Sequence, residues 1–150
     1  ISKDANYFFK YFSFESGIVP EKKKKTKWDF AWSYFGNVTN FGSGEVPYLF
    51  QDMIVQNKNV QIAKVLTSSK AYNDFIESDI AAQTFGSSQV AIGADWRSGG
   101  GPTSGPAVRT DRYYIVKDGA NNYYKLRFTS LTDGGVRGYP SFEYALIKKG

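Results

Sequence analysis

The side chains that usually carry out acid–base catalysis or bind transition metals are missing from this sequence. Its 150 residues include neither histidine nor cysteine. Histidine is the usual general base and the commonest metal ligand, and the cysteine thiolate is a frequent nucleophile and zinc ligand. Histidine-dependent triads, thiolate metal sites and disulfides are therefore excluded.

Carboxylates are the remaining candidates for chemistry, at Asp29, Asp52, Asp74, Glu77, Asp79, Asp95 and Asp111. A glycosidase needs two facing carboxylates, and no spacing pairs any two of these. Asp74, Glu77 and Asp79 could hold a hard cation, but acids on a short amphipathic element usually form its solvated face. Asp29 alternates with large aromatic residues, and we interpret it as structural, satisfied by backbone N–H groups or an arginine. No catalytic residue is assigned, and no enzyme activity is predicted.

The composition is typical of one domain, spanning residues 1–150, with more aromatic rings than a small core needs. Eleven Tyr, twelve Phe and three Trp place some rings at surfaces that contact ligands or partners. The net charge of +5 forms no basic stripe, and we interpret the lysine-rich segment 22–27 as a solvated turn. Nucleic acid is therefore not a predicted partner. No apolar run of about 18 residues could span a membrane.

Alternation of apolar and polar residues predicts an all-β fold of antiparallel strands with at most one short helix. Strands are predicted at 7–15, 27–34, 60–66, 90–92, 112–117, 123–131 and 142–146. Short apolar pieces lie at 46–50 and 52–55, after a predicted loop or bulged connection at 36–44. Apolar residues spaced three and four apart favour a helix over 69–83.

The last three strands predict a meander with turns at Asp118-Gly119 and at 132–135. Tyr124 and Leu126 point to one face, and Lys125 and Arg127 to the other, so one face is expected to be wet. The meander is interpreted as a scaffold. The preceding segment 95–107 has four Gly and two Pro, and such loops on rigid sheets often contact ligands.

Several short motifs occur in an order that resembles a known family. They are Tyr11-Phe12-Ser13-Phe14 with Ser16-Gly17, Trp28-Asp29-Phe30-Ala31, Thr39-Asn40, the hairpin segments 112–116 and 124–128, and Val136-Arg137-Gly138-Tyr139-Pro140 with Phe142-Glu143-Tyr144. Together they resemble the HmuY-like haem-binding lipoproteins, hemophore-type proteins of Bacteroidetes, over most of the chain. The resemblance implies HmuY-like antiparallel multi-stranded sheets with a ligand cleft at one end.

The resemblance also implies a function and a location. It implies a non-enzymatic protein that captures haem and passes it to a TonB-dependent receptor. It implies an outer-membrane lipoprotein, on the cell surface or the periplasmic face, that meets the membrane only through a lipid anchor upstream of Ile1.

Haem iron is held by axial ligands, typically His, Met, Cys or Tyr. By the resemblance, one ligand position falls at Gly100, which has no donor, and the other falls near 68–72, where Tyr72 is the plausible donor. The sole methionine, Met53, is a further metal-ligand candidate. The predicted cleft residues are Tyr72, Trp96, Arg97, Gly100 and Pro102.

Two hypotheses stay open for the ligand. In the first, haem or another porphyrin is held by apolar and aromatic contacts, with or without one tyrosine ligand. In the second, the same fold binds a different small molecule, a peptide or a glycan. The sequence is compatible with haem but does not require it.

Overall fold

The computed structural model describes residues 11–13, 17–19, 28–40, 42–99 and 103–150. Within these ranges the chain forms β1 (Tyr11–Ser13), β2 (Gly17–Val19), β3 (Phe30–Asn40), β4 (Glu45–Gln56), β5 (Gln61–Leu66), a 3₁₀ helix (Glu77–Ala82), β6 (Arg112–Lys117), β7 (Tyr123–Asp133) and β8 (Val136–Lys148). All paired strands are antiparallel. They form a β1-β2 hairpin, a β3-β4 hairpin and a sheet in the order β5-β6-β7-β8. The predicted all-β fold is confirmed.

The C-terminal meander follows its prediction closely. β6 has the predicted bounds, while β7 and β8 both extend beyond theirs. The turn between β7 and β8 narrows to Gly134 and Gly135, whose φ angles of 55° and 88° cost glycine little. A turn this tight matches the twist of the flanking strands, which allows them to pair over a greater length.

β3 and β4 form a long hairpin where the sequence suggested a loop. The strands predicted at 27–34 and 60–66 correspond to β3 and β5, but β3 continues to Asn40. Residues 36–40 pair with the first half of β4, so the predicted loop at 36–44 is wrong over those residues. Asn40 begins the tight connection, where its side-chain oxygen accepts a hydrogen bond from the backbone N–H of Gly42 at 2.7 Å.

The two short apolar pieces predicted at 46–50 and 52–55 are one strand interrupted by a β-bulge. Gln51 and Asp52 lie opposite Tyr34 alone, because the pairing register shifts at this point. Asp52 has a φ of 54°, in the left-handed region that Asp tolerates better than most residues. The break in the apolar pattern at Gln51 therefore marks a bulge and not a strand end.

Both faces of the four-stranded sheet are covered over β5 and β6, so the predicted wet face is limited to parts of β7 and β8, where Thr129, Ser141 and Glu143 are exposed. One face packs beneath the β3-β4 hairpin and residues 91–96. Its core comprises Ile54, Val60, Ile62, Ile92, Trp96, Tyr114, Val116, Leu126, Phe128 and Leu131. The other face packs against residues 72–85. Its core comprises Ala63, Val65, Tyr72, Phe75, Tyr113 and Ile115. Lys125 lies on that face, but its side chain does not extend into solvent. Its ammonium donates hydrogen bonds to the backbone of the covering segment.

The helix predicted over 69–83 is wrong, because only the six-residue 3₁₀ helix forms there. Tyr72 and Phe75 are buried as the helical stripe requires, but Ile76 is 57% exposed. The Lys125 ammonium donates hydrogen bonds to the carbonyls of Tyr72, Asn73 and Phe75 at 2.8, 3.3 and 3.3 Å. Those carbonyls would be acceptors within an α-helix, so their capture by Lys125 favours an irregular backbone.

The strand predicted at 90–92 is also wrong. These residues form a turn and bends, followed by a single bridge between Gly93 and Ile54. Of the strand predicted at 7–15, residues Tyr11–Ser13 form β1, and the rest lies outside the described residues. The lysine-rich segment 22–27 lies outside them too. No helix within the described ranges has the length and apolar character needed to cross a bilayer.

The base of the 95–107 loop is closed by backbone pairing. Arg97 and Val108 form a bridge, and the N–H of Ser98 donates to the carbonyl of Ala107 at 2.8 Å. The N–H of Arg109 donates to the carbonyl of Trp96 at 2.9 Å. These backbone contacts hold the two ends of the loop together. Residues 100–102 of the loop lie outside the described ranges.

Candidate ligand pocket

An aromatic pocket lies between the start of β3 and one face of the C-terminal sheet. Its volume is about 340 Å³, and it is lined by Asp29, Phe30, Val116, Tyr124, Leu126, Phe142 and Tyr144. Pockets of roughly 300–1,000 Å³ with mostly apolar walls and few polar groups are typical of small-ligand sites. We call this space the aromatic pocket.

The alternation of β6, β7 and β8 places the lining side chains on one face. Val116 pairs with Tyr124, and Leu126 pairs with Tyr144, so each pair projects in the same direction. Val116 and Leu126 are buried and form the floor. Tyr144 is 66% exposed and Phe142 is 40% exposed, so their rings are accessible at the mouth.

Four aromatic rings follow one another around the pocket. The Phe30 and Phe142 centroids are 5.5 Å apart at an interplanar angle of 75°. Phe142 and Tyr144 are 6.3 Å apart, and Tyr144 is 6.3 Å from Tyr124 at 61°. Such tilted and edge-to-face pairs present both ring faces and ring edges to the space they enclose.

Asp29 is exposed to solvent, and it is the only acidic residue among the described residues that line the pocket. Within residues 28–40, 42–99 and 103–150, no side chain or backbone N–H donates a hydrogen bond to that carboxylate, and no Lys or Arg pairs with it. Desolvation by burial, and then the charge of Asp118, raise the pKa of Asp29. The donors that we predicted for a structural Asp29 are therefore not found among the described residues.

Asp118 adds negative potential near the same place. Its carboxylate accepts hydrogen bonds from the N–H groups of Ala120 and Asn122, both at 2.8 Å, and it belongs to the β6-β7 turn. The pKa of Tyr124 is raised by desolvation first, and then by the charges of Asp118 and Asp29. The negative charges of both Asp118 and Asp29 therefore act on the Tyr124 side chain in the pocket wall.

Tyr72, the predicted iron ligand, lies on the opposite face of the sheet from the aromatic pocket. It is 9% exposed, and its hydroxyl donates to the carbonyl of Lys125 at 3.4 Å. The Lys125 ammonium and the Arg127 guanidinium lie 4.9 and 4.4 Å from its ring centroid. Tyr72 also lines a smaller depression of about 240 Å³ with Arg112 and Arg127.

Trp96 and Arg97, the predicted loop contacts, bind the loop base to the β4 bulge. Trp96 is 1% exposed, and its indole N–H donates to the carbonyl of Asp52 at 2.9 Å. The Arg97 guanidinium lies 3.7 Å from the Asp52 carboxylate and also donates to the carbonyl of Gln51. The structure therefore places these two residues in the core and at its edge, away from the lining of the aromatic pocket.

The remaining predicted site residues are dispersed. Met53 is buried in β4 and lines a separate hollow of about 210 Å³ beside Gly93. Gly100 and Pro102 lie outside the described residues. The assignment of all these residues to ligand binding stays a prediction, and the structure does not bring Met53 and Tyr72 together in one pocket.

Asp95, at the start of the loop, serves a structural network. Its carboxylate accepts from Arg112 at 2.5 Å and pairs with Lys64 at 3.2 Å, while the Tyr114 hydroxyl donates to it at 3.4 Å. Burial raises the pKa of Asp95, but hydrogen bonds and charge from Arg112 and Lys64 outweigh burial and hold that pKa below its ordinary value.

A side chain-ligated haem does not fit the two predicted donors. Desolvation raises the pKa of Tyr72, which disfavours the phenolate that would bind iron, and its hydroxyl already engages a backbone carbonyl. The side chain of Met53 is 3% exposed and lines a hollow separate from the aromatic pocket, so it offers no sulfur to a ligand in that pocket. In the described part of the chain, no group of three or more acidic side chains could hold a metal ion.

The residues lining the aromatic pocket were missed by the sequence-based prediction. Alternation alone assigns Phe142, Tyr144 and Tyr124 to a scaffold, because the same pattern suits core packing. One feature of the sequence points to them. Phe142 and Tyr144 are large apolar side chains on an edge strand, where the core does not bury them, and exposed apolar side chains of this kind often mark a binding surface.

These features define an antiparallel β-sheet protein with an aromatic pocket on its C-terminal sheet. The chain belongs to the HmuY family, since the family model described as HmuY protein matches residues 8–144. The family predicted from the short motifs is thereby confirmed. HmuY proteins are binding proteins associated with haem, and they act outside the cytoplasm. No curated protein and no solved structure matches the chain.

Proposed function

We propose that the chain is a non-enzymatic, extracytoplasmic binding protein that holds a small ligand in the aromatic pocket. The observation that carries this proposal is the pocket itself, with four rings around an aliphatic floor and two of those rings open to solvent. The C-terminal sheet positions most of the lining, and the start of the β3-β4 hairpin positions Asp29 and Phe30. Walls held by paired strands lower the cost of ordering them when a ligand binds.

The family makes haem or another porphyrin the first ligand to consider. In this chain the porphyrin would be held through ring contacts with Phe142 and Tyr144 and not through a bond from Tyr72 or Met53 to iron. Aromatic stacking and burial of apolar surface supply affinity for a flat macrocycle without an axial protein ligand.

A different small molecule in the same pocket is the second candidate, and Asp29 favours it. Haem carries two propionates, and the exposed carboxylate of Asp29 in the pocket wall repels them. In this second candidate, the aromatic pocket is still the binding site, but its ligand is not a porphyrin.

The location and partners follow from the family alone. We propose that the protein is anchored as a lipoprotein at the outer membrane through a lipid upstream of Ile1. We also propose that it delivers its ligand to a TonB-dependent receptor. Loss of ligand uptake in cells lacking that receptor would test the second step.

A titration with ferric haem tests the proposal. The Soret band of haem is followed as protein is added, for the native protein and for the variants Phe142→Ala, Tyr144→Ala and Tyr72→Phe. We expect saturable binding that each pocket variant weakens about tenfold, while Tyr72→Phe leaves the spectrum unchanged.

Three results would count against parts of this proposal. Absence of saturable binding at micromolar haem would exclude the porphyrin and leave the second candidate. Binding that neither pocket variant weakens would overturn the pocket as the ligand site. A spectrum altered by Tyr72→Phe would restore Tyr72 as the iron ligand. The folded state of each variant is checked first by its circular dichroism spectrum.

A further inference from the structure

We propose that the aromatic pocket binds the cationic head of its ligand, an alkylammonium or quaternary ammonium group, with Asp29 as counter-ion. This inference rests on the proposed function, because it names the ligand chemistry of the same pocket. It differs from the porphyrin hypothesis, since a porphyrin brings negative charge to the pocket and an ammonium brings positive charge.

The ring geometry suits a cation. Tyr144 is flanked by Phe142 and Tyr124, with both centroids 6.3 Å away and with interplanar angles of 44° and 61°. Phe30 closes the row at 5.5 Å from Phe142. Ring faces carry the negative part of the aromatic quadrupole, and rings tilted around a small space form the kind of cage that attracts ammonium groups.

The charge distribution completes the site. Asp29 lines the pocket, and its carboxylate has no cationic partner within the described ranges of the chain. Asp118 lies outside the pocket lining but close enough for its charge to act on Asp29, and its hydrogen bonds come from uncharged N–H groups of the turn. An aromatic pocket that contains a carboxylate and no cation prefers a positively charged ligand. A purely apolar pocket has no such preference.

Three cations of the C-terminal sheet have their described contacts on the opposite face from the aromatic pocket. Lys125 is bound to three carbonyls on the opposite face. Arg127 lies over Tyr72 on that face and pairs with Glu143 at 2.7 Å. Lys117 lies 5.8 Å from the ring of Tyr123, whose side chain also belongs to the opposite face. None of these three cations therefore pairs with Asp29, whose exposed carboxylate is accessible to a charged ligand.

A pair of isosteric probes tests the inference. Choline and 3,3-dimethylbutan-1-ol have nearly the same shape, and they differ in whether a nitrogen or a carbon carries the three methyl groups. Binding of each to the full chain is measured by NMR, from shifts of the aromatic ring signals. We expect choline to bind at least about tenfold more tightly, because only choline gains the cation–π and carboxylate interactions.

Two variants separate charge from shape. Asp29→Asn keeps the size of the side chain and removes its charge, and we expect choline affinity to fall about fivefold to tenfold. Glu45→Gln removes an exposed carboxylate at the start of β4, away from the pocket lining, and should leave the affinity unchanged. Raised salt should weaken choline binding in the native protein more than in Asp29→Asn.

The outcomes distinguish this inference from the proposed function. Equal binding of the two probes, or full choline affinity in Asp29→Asn, would overturn the cation preference and leave the pocket as a ligand site. No binding of choline at millimolar concentration would also overturn the cation preference. Haem binding that the pocket variants weaken would then keep the pocket as a ligand site. Tyr144→Leu is a further check, because this exposed side chain can be changed without loss of the fold. If this variant keeps full choline affinity, the aromatic cage is excluded.

Discussion

At the scale of single residues, Asp29 is the side chain whose role changes most between sequence and structure. Its position among alternating aromatic residues fits a satisfied carboxylate within a core. The structure instead places it in the wall of a pocket without a donor among the described residues. A local pattern could not reveal this, since the opposite walls of the pocket come from β6, β7 and β8, which lie far away in the sequence.

The raised pKa of Asp29 predicts a cost to stability that is specific to neutral pH. When the pKa of a carboxyl group is higher in the folded state than in the unfolded state, its charge costs no stability at pH values below the unfolded-state pKa, about 3.8. The cost grows as the pH rises through the folded-state pKa and is complete above it. Asp29→Asn should therefore raise the free energy of unfolding at pH 7, by about 0.5 kcal/mol or less after allowance for solvent screening.

Urea denaturation at pH 7 and at pH 3 measures this effect, with Glu45→Gln as the control for loss of one negative charge. The gain of Asp29→Asn over the native protein should disappear at pH 3. A gain of equal size at both pH values would show that packing, and not charge, is responsible. A loss of stability at pH 7 would show that the Asp29 carboxylate has a stabilising partner.

At the scale of elements, the strands could be predicted where local pattern and tertiary structure agree. β6 has its predicted bounds because its turn signal and its β-branched residues lie within the segment itself. The extensions of β3 and β8 could not be predicted, since they depend on pairing with β4 and β7. The helix expected over 69–83 failed because a distant lysine, Lys125, captures the carbonyls that a helix would use.

Lys125 therefore holds the segment 72–85 on the sheet, and its removal should loosen that segment. Lys125→Met keeps the length of the side chain but leaves the carbonyls of Tyr72, Asn73 and Phe75 without their shared donor. We expect a loss of about 1–3 kcal/mol in the free energy of unfolding. Hydrogen exchange should become faster over residues 72–85 more than over β6 and β7.

Lys117→Met is the matched control for Lys125→Met. Lys117 lies on the same sheet, and its described contact is with the ring of Tyr123 at 5.8 Å. It should cost less stability and leave exchange of residues 72–85 unchanged. If Lys125→Met proves no more destabilising than Lys117→Met, the segment is held by its buried rings and not by the ammonium.

At the scale of the whole molecule, the β3-β4 hairpin and the C-terminal sheet are joined by aromatic packing. Trp96 lies between them, with its ring 4.9 Å from that of Trp32 in β3 and 4.6 Å from that of Phe128 in β7. Its indole N–H also binds the carbonyl of Asp52 at the β4 bulge. One side chain thus connects the hairpin, the loop base and the sheet.

The single domain predicted from the length of the chain stays a prediction, and the junction at Trp96 gives a way to test it. A fold joined in this way should unfold in one cooperative step, so fluorescence and far-ultraviolet circular dichroism should give the same midpoint. Trp96→Phe removes ring volume from the junction and the hydrogen bond to Asp52. We expect it to lower the free energy of unfolding by about 2–4 kcal/mol while both probes still move together.

Trp96→Phe also separates a core role for this residue from the ligand contact that the sequence suggested. Because Trp96 lies outside the lining of the aromatic pocket, the folded variant should bind the pocket ligand with unchanged affinity. Tyr144→Ala provides the reverse case, since it should weaken binding with little loss of stability at a side chain that is mostly exposed.

Two separate midpoints in Trp96→Phe would show that the hairpin and the sheet fold independently. A loss of ligand affinity in the folded Trp96→Phe variant would place the binding site at the loop base.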